Sequence, residues 1–260
     1  MPTTFLGWVW FFLTKYGRLF ASGAGMTMLI ALTGTIAGFV IGLLVAVVRT
    51  IPPRRNASVL RRAGRGLVRF ALSAYIEIFR STPMMVQAMV IYYGLAQMFH
   101  LDLSILSAGL LIVSVNTGAY MAEIIRGGID SIDRGQREAA HAIGMTHTQT
   151  MARVILPQAV RNILPSVGNE FVVNIKDTSV LNVISVSELF FMSKSVAGTY
   201  YRYYETFFIT CVIYFILTFS VTRVLRWLEK KIDGPGSYRV MGSQSDAEAE
   251  ILVKGGESHV

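Results

Sequence analysis

The stretch GMTMLIALTGTIAGFVIGLLVAVV, residues 25–48, contains no charged side chain. A helix that crosses a membrane needs about 20 consecutive, mainly apolar residues, so this stretch predicts a membrane-spanning helix. The composition agrees, because 53% of the 260 residues are hydrophobic and only 15% are charged. An average soluble domain carries about 25% charged residues. We therefore expect an all-α integral membrane protein.

Three further apolar stretches predict additional spans. Residues 207–222 form a clear span when Tyr203 and Tyr204 extend it as aromatic residues of the membrane interface. Residues 103–125 form another, and residues 84–99 form a shorter one. The single cysteine, Cys211, lies inside a span, so no disulfide framework is expected.

The net charge of +8 is concentrated in the segments between the spans. Residues 49–69 contain seven arginines, residues 126–161 contain five, and residues 223–260 contain six lysines or arginines. These segments alternate along the chain, as the positive-inside rule requires of cytoplasmic segments. This distribution of positive charge therefore indicates the orientation of the chain in the membrane. It does not indicate a nucleic-acid partner. We expect the N-terminus outside, the C-terminus in the cytoplasm, and a fifth crossing between about residues 162 and 188.

The chain divides into three parts on composition. Residues 1–24 predict an amphipathic lead-in helix, residues 25–232 a transmembrane domain, and residues 233–260 a disordered cytoplasmic tail. The apolar start of the lead-in precedes Lys15 and Arg18, which is the reverse of the charge order in a signal peptide. No signal peptide is therefore expected.

The fifth crossing, NILPSVGNEFVVNIKDTSVLNVISVSEL, carries charges inside a span. Such charges cost about 2.5–3.5 kcal/mol each on insertion scales and usually face a bundle interior or a wet cavity. Glu170, Asn174 and Asp177 share one helical face. Proline, glycine and the Thr178-Ser179 pair allow local unwinding, which transporters use to expose backbone groups to a solute. Alternatively, Lys176 neutralises a neighbouring carboxylate and only holds the bundle together.

Two other polar faces follow helical spacing and could point into the same cavity. One consists of Glu77, Arg80, Met84 and Gln87, with Pro83 opening or kinking a helix. The other consists of Asn116, Tyr120 and Glu123. Each face offers hydrogen bonds to a zwitterion or, equally, contacts between helices. For Asn116 alone we favour the interhelical contact.

Residues 138–158, EAAHAIGMTHTQTMARVILPQ, interrupt the apolar pattern with a polar segment. Asp133 followed by Gln136 predicts a helix that starts near residue 134, and Gly144 is placed to end it in a left-handed conformation. Small alanines on this first helix permit close approach by another surface.

A second short helix is predicted to follow. Thr146 with Gln149 repeats the capping pattern, and Pro157 limits the helix. Met145, Met151 and Ile155 supply apolar anchors nearby. The charge rule places this hairpin in the cytoplasm, where it is either a docking element for a soluble partner or a loop packed on its own protein.

The sequence gives no support to an enzyme. No Gly-Lys dipeptide occurs, so there is no P-loop for ATP. The four histidines lack metal-ligand spacing, and no nucleophile-elbow pattern is present. We expect no metal site and no cofactor on this chain, and any ATP must bind to another chain.

Several motifs resemble those of one transporter family. Glu138-Ala139-Ala140, Gly144 and Leu156-Pro157 together resemble the EAA motif of permease subunits in ABC importers, although Val154 stands where that motif usually carries Ile. FRSTPMMVQ resembles the Arg-Gly-Thr-Pro-hydrophobic-Gln signature of the polar-amino-acid uptake permeases, with Ser81 replacing Gly. NTGAYMAEIIRGGIDSI and NEFVVNIKDTSVL are also similar to segments of that family, and the resemblance covers roughly residues 22–232.

This resemblance implies the transmembrane subunit of a type I ABC importer in a bacterial inner membrane. Such a subunit has five helices and a cytoplasmic coupling hairpin, here residues 133–157. Its implied partners are a second permease subunit, identical or different, a pair of ABC ATPase subunits that bind ATP and Mg²⁺, an external amino-acid-binding protein, and membrane lipid. The expected ATPase-coupling residues are Glu138, Ala139, Ala140, Gly144, Leu156 and Pro157.

The solute is expected to be a polar or charged amino acid that moves by alternating access. The expected pathway residues are Glu77, Arg80, Gln87, Asn116, Lys176, Asp177, Thr178 and Ser179. Two other classes stay open at this point. One is an ion-coupled secondary transporter that uses Glu170 and Asp177 as a proton relay, and the other is a non-transporting anchor that recruits a cytoplasmic ATPase.

Overall fold

The computed structural model describes residues 2–50 and 58–233. Every regular element in these two ranges is helical, as expected for an all-α protein. The α-helices are α1 (Phe5–Thr50), α2 (Val59–Ser81), α3 (Met84–Phe99), α4 (Ile105–Asp130), α5 (Arg134–Ala142), α6 (His147–Thr150), α7 (Leu156–Asp177), α8 (Leu189–Tyr200) and α9 (Tyr203–Asp233). A π-helical segment, Met151–Ile155, joins α6 to α7, and a 3₁₀ segment, Thr178–Ile184, follows α7. The predicted tail lies, apart from Asp233, outside the described residues.

The predicted lead-in and the first span form one continuous helix, the 46-residue α1. The predicted boundary after residue 24 therefore falls inside a helix. In the lead-in part, Trp8, Phe12 and Phe20 are buried and pack against Leu189 of α8 and Ile209 of α9. These three side chains recur at multiples of four residues and share one face. The lead-in is thus part of the bundle.

In the part of the chain that the structure describes, three helices, α1, α4 and α9, are long and apolar enough to cross a membrane. The segments His147–Ile184 and Leu189–Tyr200, which are bent by 54° at their junction, make a fourth crossing if they act as one span. Helix α3 is apolar but shorter, with 16 residues. The expected total of five crossings stays a prediction.

Helices α1 and α4 pack closely through a row of glycines. Gly38 and Gly42 are both buried on the face of α1 that meets α4. A Cβ atom at Gly42 would lie 2.5 Å from Cβ of Met121 and 2.7 Å from the backbone nitrogen of Ala122. Small residues spaced four apart allow this close approach of helices in lipid. The contact fixes α4, which carries one wall of the cavity described below.

Candidate functional site: a polar cavity and an exposed hairpin

A cavity of about 840 Å³ opens between the junction of α2 and α3, helix α4 and helix α7. Its wall is unusually polar for a bundle of apolar helices. The lining residues are Arg80, Thr82, Pro83, Met84, Asn116, Tyr120, Glu123, Ile124, Pro165, Ser166, Asn169, Glu170, Val173 and Asp177. Residues from each of the three polar faces expected from helical spacing therefore line one cavity, whereas Glu77, Gln87 and Asn174 of the same faces do not.

The α7 wall contributes two carboxylates, Glu170 and Asp177. Glu170 is only 4% exposed. Within the described ranges, neither carboxylate has a hydrogen-bond or ion-pair partner. Lys176 is exposed and forms no direct ion pair with either of them among the described residues. Both carboxylates are available to a group inside the cavity.

The facing wall contributes a cation and an aromatic ring. The guanidinium carbon of Arg80 lies 5.7 Å from the ring centroid of Tyr120. This cation–π contact orients Arg80 over α4 without neutralising its charge. The cavity thus presents groups of both charge signs on its two sides.

Pro83 begins α3, as its position predicts, and Gln87 holds the break between α2 and α3. Nε2 of Gln87 donates to the backbone oxygens of Phe79 and Thr82, at 3.0 Å and 2.9 Å. Oε1 of Gln87 accepts from Nδ2 of Asn116 at 2.8 Å. Gln87 does not line the cavity, whereas Asn116 both lines it and makes the interhelical contact that we favoured.

Four other expected pathway residues also lie outside the cavity wall. Glu77 and Lys176 are exposed on other faces of their helices. Thr178 is fully buried, and its Oγ1 donates to the backbone oxygen of Ile175 at 3.0 Å. The backbone oxygen of Ser179 accepts from Nδ2 of Asn182. The predicted unwinding at this point takes the form of the 3₁₀ segment, which keeps most backbone groups paired.

Several residues that line the cavity were not among the pathway residues expected from the sequence. Tyr120 and Glu123 share a helical face with Asn116, so their spacing was a usable signal. Asn169 precedes Glu170 but belongs to no polar stripe, and only the packing of α7 brings it to the wall. Glu123 is also engaged by the end of α1, because Nη1 of Arg49 donates to its Oε1 at 2.8 Å.

The hairpin starts and turns as its sequence predicts. Oδ1 of Asp133 accepts from the backbone N–H of Gly135 at 2.6 Å and caps α5. Gly144 has a φ of 82°. The N–H of Gly144 donates to His141 and the N–H of Met145 donates to Ala140. This pair of bonds is a Schellman motif, which satisfies the last carbonyls of a helix.

The second arm of the hairpin differs from the prediction at its far end. Thr146 and Gln149 form the expected capping box. Pro157, however, does not end the helix, because α6 continues through the π-helical segment into α7. Pro157 lies in the first turn of α7, directly after the π-helical segment, where the regular i→i−4 hydrogen bonding is interrupted, so the missing N–H of proline costs little. The hairpin is therefore continuous with the cavity wall.

The predicted coupling residues differ in accessibility. Glu138, Ala139, Gly144 and Pro157 are exposed, Leu156 is partly buried, and Ala140 is buried. Ile143, next to Gly144, is 79% exposed. Two expected anchors face the protein instead, since Ile155 and Met151 pack with the cluster around Ile129 of α4. The hairpin thus packs its base on its own bundle and exposes its tip.

Apolar spanning helices around a polar cavity, with an exposed hairpin continuous with the cavity wall, define a membrane transport protein. Residues 56–234 match the family described as the inner membrane component of binding-protein-dependent transport systems. The chain belongs to this family. It is accordingly the permease subunit of an ABC importer.

Relatives in bacteria support this assignment along most of the chain. The glutamine transport system permease protein GlnP of Escherichia coli (strain K12) is 37% identical over 216 residues, which are 82% of this chain and 93% of that protein. The probable amino-acid ABC transporter permease protein PatM of Vibrio harveyi is 42% identical over 161 residues, which are 61% of this chain and 72% of that protein.

Solved structures give the same result. A chain of an amino acid ABC transporter with histidines superposes with a TM-score of 0.76 and 36% identity, covering 89% of this chain and 100% of that chain. A chain of the MetNI methionine ABC transporter gives a TM-score of 0.69 at 20% identity, covering 84% and 97%. At this low identity, the similarity to the methionine transporter chain shows only that the two chains share a fold.

Membership of this family implies where ATP is hydrolysed and which other proteins take part in transport. Permease components of ABC importers are not catalytic, and a separate ATPase subunit hydrolyses the ATP. The family description also implies an inner-membrane location and a solute-binding protein.

Proposed function

We propose that this permease moves a polar or charged amino acid through the cavity between α4 and α7. The observation that carries the proposal is the presence of Glu170 and Asp177, unpaired within the described residues, in the same cavity as Arg80. An amino acid presents an ammonium and a carboxylate at a fixed spacing. The two α7 carboxylates suit the ammonium or a cationic side chain, and Arg80 suits the carboxylate, because hydrogen bonds between ionised groups are stronger than those between neutral groups.

The relatives favour the same substrate class. The Escherichia coli relative is a glutamine permease protein, and the solved neighbour is an amino acid transporter. Asn116 adds an uncharged hydrogen-bonding group to the wall. The other expected pathway residues, Glu77, Gln87, Lys176, Thr178 and Ser179, would then act on the shape of the helices or on neighbouring subunits.

The hairpin would couple this cavity to ATP hydrolysis. Its exposed tip, with Glu138, Ala139 and Gly144, would seat in a cleft of one ATPase subunit of a pair. Movement of the tip would pass along the unbroken path from His147 through Leu156 and Pro157 into α7. Buried Ala140 would set the distance between the hairpin and its own bundle. Because α7 carries Glu170 and Asp177, closure of the ATPases on ATP and Mg²⁺ would alternate the access to the cavity.

The proposed assembly contains a second permease subunit, identical or different, and an amino-acid-binding protein outside the cytoplasmic membrane. The arginine-rich segments support an N-terminus outside and a C-terminus in the cytoplasm. This orientation places the coupling hairpin, residues 133–157, on the ATPase side of the membrane.

Affinity purification of the tagged protein from its native membrane in mild detergent tests the coupling role. We expect ATPase subunits to copurify with the wild type and to be lost with Gly144→Asp, which leaves membrane insertion intact but places a negative charge at the exposed turn. Gly144→Asn is the matched control, because asparagine has the same size and the same tolerance of the left-handed conformation as aspartate but carries no charge. Normal uptake by Gly144→Asp would contradict the proposal. A protein that comes out alone and transports without ATP would instead support the ion-coupled alternative using Glu170 and Asp177.

Uptake assays with competing amino acids test the cavity. Asp177→Asn should lower the uptake rate or change the solute selectivity, because it removes an unpaired charge from the cavity wall. Glu77→Gln is the control, since Glu77 is exposed outside that wall. Unchanged uptake and unchanged selectivity in Asp177→Asn would refute the assigned pathway while leaving the importer assignment intact.

A further inference from the structure

Helix α7 carries a buried amide at Asn174, which is 3% exposed. Its Nδ2 donates to Oγ1 of Thr35 on α1 at 2.8 Å, and its Oδ1 accepts from Oγ1 of Thr117 on α4 at 3.1 Å. Both threonines are buried as well. One side chain therefore joins α1, α4 and α7 through directional contacts.

Asn174 lies next to the two α7 carboxylates of the cavity. Glu170 precedes it by four residues and Asp177 follows it by three. With about 3.6 residues per turn, these two positions lie about 40° and about 60° from Asn174 around the helix axis. Glu170 and Asp177 line the cavity, whereas Asn174 contacts α1 and α4 instead. A rotation of α7 that breaks the bonds of Asn174 would therefore turn both carboxylates relative to the cavity wall.

The hairpin end of α7 is held differently. Ala159 and Ile163 pack in an apolar cluster with Ile129 of α4. Apolar packing has no preferred direction, whereas a hydrogen bond weakens steeply when its angle departs far from linear. Asn162 also bonds to α4, donating to Oγ of Ser131 at 3.0 Å, but in an exposed position where water can replace a lost bond. Near the carboxylates, the rotation of α7 therefore depends on the buried amide.

We propose that Asn174 is a positioning residue for transport. Its bonds to Thr35 and Thr117 set the rotation of α7 at which Glu170 and Asp177 face the solute. A buried polar group with all its partners in place favours one arrangement of its neighbours over others. The inference rests on the proposed function, in which the two carboxylates contact the transported amino acid, and it adds a residue that does not touch that amino acid.

Asn174→Leu removes both bonds at a similar side-chain size. It strands no hydroxyl, because a threonine in a helix can donate to the backbone oxygen four residues earlier. Thr35 already donates to the backbone oxygen of Ala31 in this way at 2.7 Å. Thr117→Val removes one bond and keeps the branched shape that lies against Gly38. Thr117→Ser keeps the hydroxyl and is the conservative variant.

Cysteine labelling measures the rotation of α7. Asn169→Cys, at an exposed position of the cavity wall next to Glu170, is introduced in a Cys211→Ser background. The detergent-purified importer is labelled with a water-soluble maleimide, and the rate is followed by mass spectrometry. Each hydrogen bond between membrane helices changes the ratio of two packed arrangements by roughly threefold. We therefore expect labelling to slow severalfold in Asn174→Leu, to slow less in Thr117→Val, and to keep the parent rate in Thr117→Ser.

Asn162→Leu is the matched control, since it makes the same substitution in the same helix and removes an exposed bond to α4. It should leave the labelling rate unchanged. Equal or faster labelling in a folded Asn174→Leu variant would overturn the inference, and so would equal slowing in Asn162→Leu or in Thr117→Ser. If Asn174→Leu does not fold, the comparison of Thr117→Val with Thr117→Ser decides in the same way.

Uptake of a mixture of isotope-labelled amino acids, measured in the same variants without the added cysteine, separates this inference from the proposed function. Slowed labelling together with lowered uptake or altered selectivity supports both. Slowed labelling with unchanged uptake and selectivity supports the positioning of α7 and contradicts a contact between its carboxylates and the amino acid. Unchanged labelling together with defective uptake in Asp177→Asn contradicts the inference about Asn174 alone.

Discussion

Nδ2 of Asn116 donates to Oε1 of Gln87 over 2.8 Å, and this bond ties α4 to the break between α2 and α3. Gln87 also donates to Oγ1 of Thr82 at 2.8 Å, so one buried amide closes the gap that Pro83 opens. Asn116 and Thr82 both line the cavity. The positions of these two lining residues therefore depend on Gln87, a side chain that does not itself line the cavity.

Gln87→Ala should destabilise the protein because it removes the shorter of the two hydrogen bonds that the Asn116 amide makes, at 2.8 Å, and leaves only the 3.5 Å bond to the backbone oxygen of Phe79. Hydrogen bonds between membrane helices contribute about 1 kcal/mol, and an unsatisfied buried group adds to the loss. We expect a lower melting temperature in detergent and reduced uptake. Gln97→Ala, in the same helix but exposed, should melt like the wild type. Equal melting of the two variants would show that the bond contributes nothing.

Gly42→Ala should push α1 away from α4. The added methyl group would overlap Met121 and the backbone at Ala122, and overpacking of this kind costs about 1–3 kcal/mol. A thermal melt in detergent should show the loss. Gly25→Ala is the matched control, because a Cβ atom there meets nothing within 4 Å. A stable Gly42→Ala variant would mean that the two helices separate at no cost.

Phe12→Ala should destabilise the packing of the lead-in on the bundle. Phe12 is fully buried among Trp8, Phe20 and Leu189, and removing a buried phenyl ring costs about 3–5 kcal/mol in protein cores. Limited proteolysis of the N-terminal part of α1 should become faster. Trp10→Ala removes a larger side chain that is 70% exposed and should leave proteolysis unchanged. Identical protection in both variants would argue against a docked lead-in.

Thr146→Ala should loosen the second arm of the hairpin. It removes the cap that Thr146 provides to the N–H of Gln149, and loss of such a cap costs about 1 kcal/mol. Hydrogen exchange in residues 147–150 should speed up, with little change in the transmembrane helices. Thr148→Ala, an exposed change in the same short helix, is the control. Unchanged exchange in Thr146→Ala would indicate that α6 is held by its continuation into α7 alone.

The caps and turns of the hairpin were predictable because each depends on neighbouring residues. Asp133 starts a helix, Gly144 ends it, and Thr146 starts the next one, all within a few bonds of the groups they satisfy. Pro157 was misjudged for a related reason. A proline weakens a helix where its missing N–H removes an i→i−4 hydrogen bond, and the sequence alone does not show that a π-helical turn directly precedes Pro157.

The pathway residues were harder to predict. Helical spacing placed Gln87 and Asn116 on faces that could meet, but it did not say which of the two reaches the cavity. Thr178 carries a hydroxyl group that could bind a substrate, but this hydroxyl donates a hydrogen bond to the backbone oxygen of Ile175 instead. Lys176 adjoins Asp177 in sequence, but consecutive residues on a helix point in different directions.

The sequence by itself determined the membrane class, the alternation of charged segments and the local geometry of the hairpin. Each of these follows from the transfer of apolar side chains into lipid or from hydrogen bonds over a few residues. The tertiary structure alone decided that Arg80, Glu170 and Asp177 share one cavity, that the lead-in joins the bundle, and that the hairpin runs unbroken into α7. These features depend on the distances between helices that are far apart in the chain. Side-chain packing sets these distances, and the spacing of apolar and polar residues along one helix does not reveal that packing.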